Sequence, residues 1–330
     1  MLNDLIKNAY KVLDGFEITR QEVLDLVLNI NNEEVLDLCS LANKVRKKFS
    51  PSFHVCSIIN AKSGKCSQNC KFCAQSAFYE TGIRTYPLLP KEEVLKQAKE
   101  VYNSGIRYFG YVTSGKGYTE LTPEFQQILD TFDLLHKELP DLKICAAMGI
   151  LSDETARLLA QHHLYRYNMN LQTNPKRYAE LVSDMHSMRD KINTIKYVQK
   201  YGITNCTGGI FGLGENWEDR VDMAFAVKEL DVESLTLNIL LPIKGTPLEN
   251  AKPVTPLEAA EIFAVYRLIN PTKTLKFAAG RETTMKDFQG LLMLSGLNGI
   301  ITGGYLTTRG RSTADDEKML HSLAEFDGFI

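Results

Sequence analysis

Apolar positions recur in two rhythms along this chain. Up to about residue 50 they fall three and four apart, with Val23, Leu26, Val27 and Ile30 on one helical face. Thr19-Arg-Gln-Glu22 precedes them as a capping box, in which the Thr and Glu side chains each take up a free amide of the first turn. A second helix is expected from about residue 33 to 48, with Pro51 as its stop. Beyond that point the rhythm changes. Short β-rich runs lie near 53–60, 107–113, 142–148, 164–170, 203–211, 234–240, 274–279 and 299–304. Amphipathic runs fall between them, such as 91–102, 153–161, 188–201 and 217–230.

Strands separated by helices imply parallel pairing and right-handed crossovers. A closed (β/α)8 barrel of the TIM type and an open doubly wound sheet both satisfy that order. Polar residues favour the barrel: Asn60, Asn168, Asn170, Asn238 and Arg281 sit at or just past strand ends, which converge on one mouth in a barrel. No internal repeat, low-complexity segment or Gly/Ser-rich linker divides the chain. The expected organisation is an N-terminal helical extension, residues 1–50, packed on one barrel domain, residues 51–330, that includes the C-terminal segment.

Composition narrows the function. Lys and Arg total 38 against 40 acidic residues, which argues against a nucleic-acid binder that works through a broad basic field. Apolar stretches such as 237–243 are too short to span a bilayer, and no signal peptide is evident at the start. The seven cysteines, an odd number without a secretory signal, point to a reducing, cytoplasmic setting in which thiols bind metal or stay free.

Three of those cysteines crowd into Cys66-Ser-Gln-Asn-Cys-Lys-Phe-Cys73. Thiolates are the usual ligands of iron–sulfur clusters, and three on a [4Fe–4S] cube leave one iron open to chelate a small molecule. A zinc site lacking its fourth ligand and a fragment of a two-cluster ferredoxin are the competing readings. The ferredoxin pattern spaces its cysteines differently and ends in proline. The spacing of three residues, then two, resembles the radical S-adenosylmethionine enzymes. In such enzymes one electron from the cluster cleaves the bound cofactor to a 5′-deoxyadenosyl radical. Thr113-Ser114-Gly-Lys-Gly117 and Thr207-Gly-Gly-Ile-Phe-Gly-Leu-Gly-Glu215, which allow close backbone approach, are expected to complete the pocket. Phe72 covers adenine or packs the loop. The six histidines show no metal-ligand spacing and are expected in surface or packing roles.

Cys56, Cys145 and Cys206 lie on the first, third and fifth expected strands. A single buried cysteine is usually a small hydrophobe. Three pointing inward, with Arg281 after the seventh strand, suggest a second cluster inside the barrel. Cys39 is expected to pack among the N-terminal helices.

From about Ile59 to Thr308 the chain resembles the biotin synthase family, radical S-adenosylmethionine enzymes that insert sulfur into dethiobiotin. The likeness rests on Asn60-Ala-Lys-Ser-Gly-Lys-Cys66 leading into Cys70, Cys73 and Ala74-Gln-Ser76. It continues through Arg166-Tyr-Asn-Met-Asn170, the run from Cys206 to Glu215, Asn238, Lys244-Gly-Thr-Pro-Leu248 and Ala279-Gly-Arg-Glu282. The resemblance implies a (β/α)8 barrel, a homodimer, and a flavodoxin- or ferredoxin-type electron donor. It implies Cys66, Cys70 and Cys73 as ligands of the [4Fe–4S] cluster. It further implies Cys145, Cys206 and Arg281 as ligands of an auxiliary cluster, usually [2Fe–2S], that donates sulfur. Asn170 and Asn238 match residues that seat S-adenosylmethionine and dethiobiotin. Asn168, Gln172 and Ser114 are expected beside them, with Gln172 able to bond a ribose hydroxyl.

Three departures stand out. The family's remaining auxiliary cysteine lies near Phe109-Gly110, where this chain has none, and Cys56 is the natural substitute in an altered cluster, [2Fe–2S] or a four-iron variant. Met169 and Gln172 replace a common histidine and a common acid or asparagine. Lys191 stands where arginine is usual. A related radical enzyme with another small substrate, such as a hydrogenase-cofactor maturase or an amino-acid mutase, is the first alternative. An iron–sulfur electron carrier without its own chemistry is the second.

Overall fold

The computed structural model describes residues 2–307 and 310–327; Thr308, where the family likeness ends, lies outside them. Eight parallel strands close on one another. They are β1 (His54–Lys62), β2 (Tyr108–Thr113), β3 (Lys143–Ala147), β4 (Arg166–Asn168), β5 (in two pieces, Thr204–Cys206 and Gly209–Phe211), β6 (Ser234–Ile239), β7 (Thr274–Phe277) and β8 (Gly299–Thr302). His54–Ser57 of β1 pair with Gly299–Thr302 of β8 and so shut the barrel. All eight expected strands are present. The fifth is interrupted at Thr207-Gly208, where a Cβ on Gly208 would lie 2.0 Å from the carbonyl oxygen of Thr236. The two pieces therefore pass β6 closely only because that residue is glycine.

A helix follows each strand in turn. In chain order, after the N-terminal α1 (Asp4–Ala9), α2 (Arg20–Asn29) and α3 (Val35–Phe49), they are α4 (Lys91–Asn103), α5 (Pro123–Glu138), α6 (Asp153–Gln161), α7 (Met188–Lys200), α8 (Trp217–Glu229), α9 (Pro256–Ile269), α10 (Gln289–Met293) and α11 (Thr313–Asp327). The Thr19–Glu22 capping box forms as expected at the start of α2. α3 packs on α9, and Cys39 is buried between them, its sulfur 3.9 Å from the Ala260 carbonyl. Among the described residues no helix is long and apolar enough to cross a membrane.

Alternation along the strands sorts the core into two compartments. Ile59, Phe109, Tyr111, Ile144, Tyr167, Leu235, Leu237, Leu275 and Phe277 face the helices and join the main hydrophobic core. The other parity belongs to the barrel interior. An ordinary barrel of this kind fills it with layers of branched aliphatic side chains. Here the same positions carry Cys56, Cys145, Cys206, Arg166, Thr236 and Lys276. Such an interior is costly for folding alone, and that cost marks it as a site.

Candidate active site

The three clustered cysteines occupy a loop that leaves β1. Pairing between β1 and β2 shifts register between Asn60 and Lys62. Gly64 then turns with φ 79°, where a Cβ would stand 2.3 Å from Thr85. The chain doubles back so that Cys66 pairs with Ser76. Two side chains pin the turn: Gln75 accepts the Gly64 N–H at 3.1 Å, and Ser114 donates to the Gly64 carbonyl at 2.7 Å. Ser114 lines the cavity as expected, but its proton is committed to holding this loop.

All three thiols reach one cavity of about 290 Å³ at the carboxyl ends of the strands. Burial pushes the Cys73 thiol up to about 12 and raises Cys70, against the opposing charge of Lys191. Thiolates here need a metal to stabilise them. Among the described residues no three His, Cys, Asp or Glu are gathered as a single ion requires.

Asn170, Gln172 and Asn238 also line this cavity. The side-chain oxygens of Asn170 and Gln172 are buried without a partner. An unmet buried acceptor costs about 1–3 kcal/mol, so both suit a ligand that brings N–H or O–H groups. Gln172 has φ 75° and is held there by backbone bonds to Gly208 and Ile210, 3.1 and 2.8 Å. Asn238 donates to the Gly209 carbonyl and accepts from the Ala279 N–H, each at 3.0 Å, and so ties β5 to the segment after β7.

Asn168 departs from expectation. It is not part of the cavity lining and pairs with Cys206 one pleat deeper in the barrel. Residues two apart on a strand share a face but sit about 6.5 Å apart along it, and Asn170 takes the mouth position. The histidines depart too: His186, expected in a surface or packing role, lines the cavity with Lys191. It lies in the turn before α7, where no periodic pattern marks it.

Deeper in the barrel, Cys56, Cys145 and Cys206 share the interior with two cations. Lys276 Nζ lies 3.9 Å from Cys56 Sγ, and Arg166 is buried between strand faces, with one guanidinium nitrogen unpartnered. Burial pushes Cys145 up to about 12, and the Arg166 charge opposes it. For Cys206 burial also acts upward, but Lys276, Arg166 and hydrogen bonds from Ser234 and Thr236 outweigh it, so its pKa is lowered. Gly110 explains the missing cysteine on β2. A Cβ there would stand 2.7 Å from Cγ2 of Ile58, its partner across β1, so Ile58 and a side chain at 110 exclude each other.

Arg281 is buried after β7 and donates to the carbonyl of Ile301, the β8 residue that pairs with Cys56, at 3.4 Å. Its guanidinium pairs in bidentate fashion with Asp316 of α11, at 2.8 and 2.6 Å, and also donates to Gln289 at 2.6 Å. Both partners are buried. Lys276, five residues earlier and inside β7, and Arg166 on β4 act on the charge of the interior cysteines. Removing Asp316 strands a buried cation, which typically costs about 3–5 kcal/mol. Asp316→Ala is therefore expected to lower the urea midpoint strongly.

A closed parallel barrel with three thiols opening on a mouth cavity has the form of a radical S-adenosylmethionine enzyme. The Radical SAM superfamily model matches residues 61–227, and the Biotin and Thiamin Synthesis associated domain matches 236–324. Among solved structures, methylornithine synthase superposes with TM-score 0.82 at 18% identity over 98% of this chain and 99% of that one. The FeFe-hydrogenase maturase from Carboxydothermus hydrogenoformans gives 0.77 at 16% over 97% and 78%. At such identity the likeness is of fold alone. Biotin synthase of Chlorobaculum parvum is 50% identical over 97% of both chains, and that of Chlorobaculum tepidum 49% over 97% of both. The chain belongs to the biotin synthase family. It is a sulfurtransferase of the radical S-adenosylmethionine class.

Proposed function

We propose that Cys66, Cys70 and Cys73 hold a [4Fe–4S] cube whose open iron faces the mouth cavity, and that S-adenosylmethionine and dethiobiotin bind there. One observation supports this above the rest: three thiols and the unpartnered oxygens of Asn170 and Gln172 converge on one cavity. When bound, the reduced cube supplies the electron that cleaves S-adenosylmethionine, and sulfur enters dethiobiotin to give biotin. The chain's own residues position and shield. Gln75 and Ser114 fix the cysteine loop. Asn170 and Gln172 accept hydrogen bonds from the bound molecules, while Asn238 holds the wall. Val112, Ile150, Ile210 and Leu240 supply apolar surface that keeps water from a reactive carbon centre.

Cys56, Cys145 and Cys206 hold the auxiliary cluster, either [2Fe–2S] or a four-iron variant, as the sulfur source. The buried Lys276 and Arg166 offset the charge of three thiolates, which favours an anionic thiolate-bound group there. Residues 1–50 are a helical extension on a single catalytic unit, residues 51–330. A flavodoxin- or ferredoxin-type donor, a homodimer and a cytoplasmic setting complete the proposal, and the family resemblance supports them. Anaerobic incubation of reconstituted protein with reductant, S-adenosylmethionine and dethiobiotin tests the whole reading. Biotin detected by mass spectrometry is expected. Cofactor cleavage without any biotin would point to another substrate.

A further inference from the structure

Tyr178 lines the mouth cavity, is 2% exposed, and its hydroxyl makes no aligned hydrogen bond. It opens the short helix Tyr178–Leu181 between β4 and α7. The Val182 and Ser183 N–H groups donate to its carbonyl at 2.9 and 3.2 Å, and the Val182 carbonyl accepts the Lys71 N–H at 2.9 Å. Those bonds tie the short helix to the cysteine loop beside Cys70. Tyr178 packs in an apolar group with Leu181, Val182, Leu213 and Leu240, and Cys70 lies against that group. The Cys70 sulfur is within hydrogen-bonding range of the Tyr178 hydroxyl. Ser183 also approaches Cys70. Its single proton, however, goes to Oδ1 of Asn69 at 2.6 Å, and Asp184 fixes that amide by accepting from its Nδ2 at 2.7 Å. The Tyr178 phenol is left uncommitted. A buried hydroxyl without a partner is costly, and a neutral thiol is too weak an acceptor to offset that cost. An iron-bound thiolate is a much stronger acceptor, and apolar walls strengthen the bond further.

We propose that the Tyr178 hydroxyl donates to the Cys70 sulfur when that sulfur is a thiolate on iron, and that this bond raises the reduction potential of the mouth cube. The role rests on the reading of Cys66, Cys70 and Cys73 as the ligands of that cube. Hydrogen bonds to the ligand sulfurs are one of the levers on a cluster's potential. Such a bond withdraws charge from the sulfur and so favours the state that has gained an electron. The Lys191 ammonium stands 5.3 Å from the Tyr178 ring centroid, and a cation there makes the phenol a stronger donor. Tyr178 is thus a positioning residue that acts through Cys70 and eases reduction of the cube by its one-electron donor.

The test is anaerobic, dye-mediated potentiometry of four reconstituted proteins: wild type, Tyr178→Phe, Ser183→Ala and a chain with 3-fluorotyrosine at position 178. The reduced cube is followed by the electron paramagnetic resonance signal that S-adenosylmethionine perturbs. The bond exists in both redox states, so only its strengthening on reduction is read. Tyr178→Phe is expected to lower the ratio of reduced to oxidised cube at fixed potential about fivefold, a midpoint about 40 mV more negative for one electron. Iron per chain should stay at the wild-type level, because the ring and its packing remain. Fluorination makes the hydroxyl a stronger donor and should move the midpoint the other way, which a change in packing alone does not do. Ser183→Ala should leave the midpoint in place. An unmoved midpoint in Tyr178→Phe overturns the role, and so does a shift of one sign in both the phenylalanine and the fluorotyrosine proteins. A shift in Ser183→Ala alone assigns the bond to Ser183 and overturns it too. Should Tyr178→Phe hold no cube, the direction of the shift in the fluorotyrosine protein decides. A wild type with no signal that S-adenosylmethionine perturbs overturns the reading of the cysteine loop instead.

Discussion

In a Cys70→Ala variant, cleavage of S-adenosylmethionine falls to the level of the enzyme-free control, and biotin formation falls with it. The variant should also lose about four irons per chain, because a cube held by three thiolates does not persist on two. The interior cluster should survive, since Cys56, Cys145 and Cys206 lie on strands of a barrel that closes without the mouth loop. Iron and sulfide analysis with quantified 5′-deoxyadenosine measures this directly. Cleavage retained in the variant would mean that the radical chemistry does not depend on this loop.

Cys56→Ala should separate the two halves of the reaction. The mouth loop keeps its ligands, so 5′-deoxyadenosine still forms. Biotin formation should fall at least about a hundredfold, since even outer-shell partners of a metal ligand are worth roughly ten- to a hundredfold. Iron content should drop by the auxiliary share only. Lys276 sharpens the expectation: with Nζ 3.9 Å from Cys56 Sγ, it loses its thiol neighbour in the variant and stays buried. An auxiliary cluster unchanged in spectrum and iron count would remove Cys56 from the ligand set. Ile58 against Gly110 gives the physical reason to expect otherwise, because the wall that could have offered a thiol on β2 is already filled.

The barrel was legible because its elements announce themselves locally. Eight short β-rich runs between amphipathic stretches leave few topologies, and the capping box at Thr19 and the break at Pro51 act within a turn of their own residues. The cysteine loop was legible for the same reason: its chemistry is contained in eight consecutive residues. The deeper site was not. Arg281 reads as a natural basic neighbour by position, yet its partner Asp316 is 35 residues away, in the last described helix, and no local pattern links them. Lys276 is not singled out in the sequence; Leu275 and Phe277 face the helix layer, where the Phe277 ring centroid lies 5.0 Å from that of Phe263. Strict alternation then turns Lys276 inward. The same parity separates Asn168 from Asn170. His186 carries no such signal, because loop residues have no period.

The central claim is that three thiolates hold four irons and leave one iron free for the methionine end of S-adenosylmethionine. Anaerobic crystallography of the reconstituted protein soaked with S-adenosylmethionine tests it most directly. The expected map shows Cys66, Cys70 and Cys73 each on an iron, with the cofactor's amino and carboxylate groups on the fourth. A side chain such as His186 or Lys191 bound to that fourth iron, with the cofactor absent or elsewhere, would contradict it.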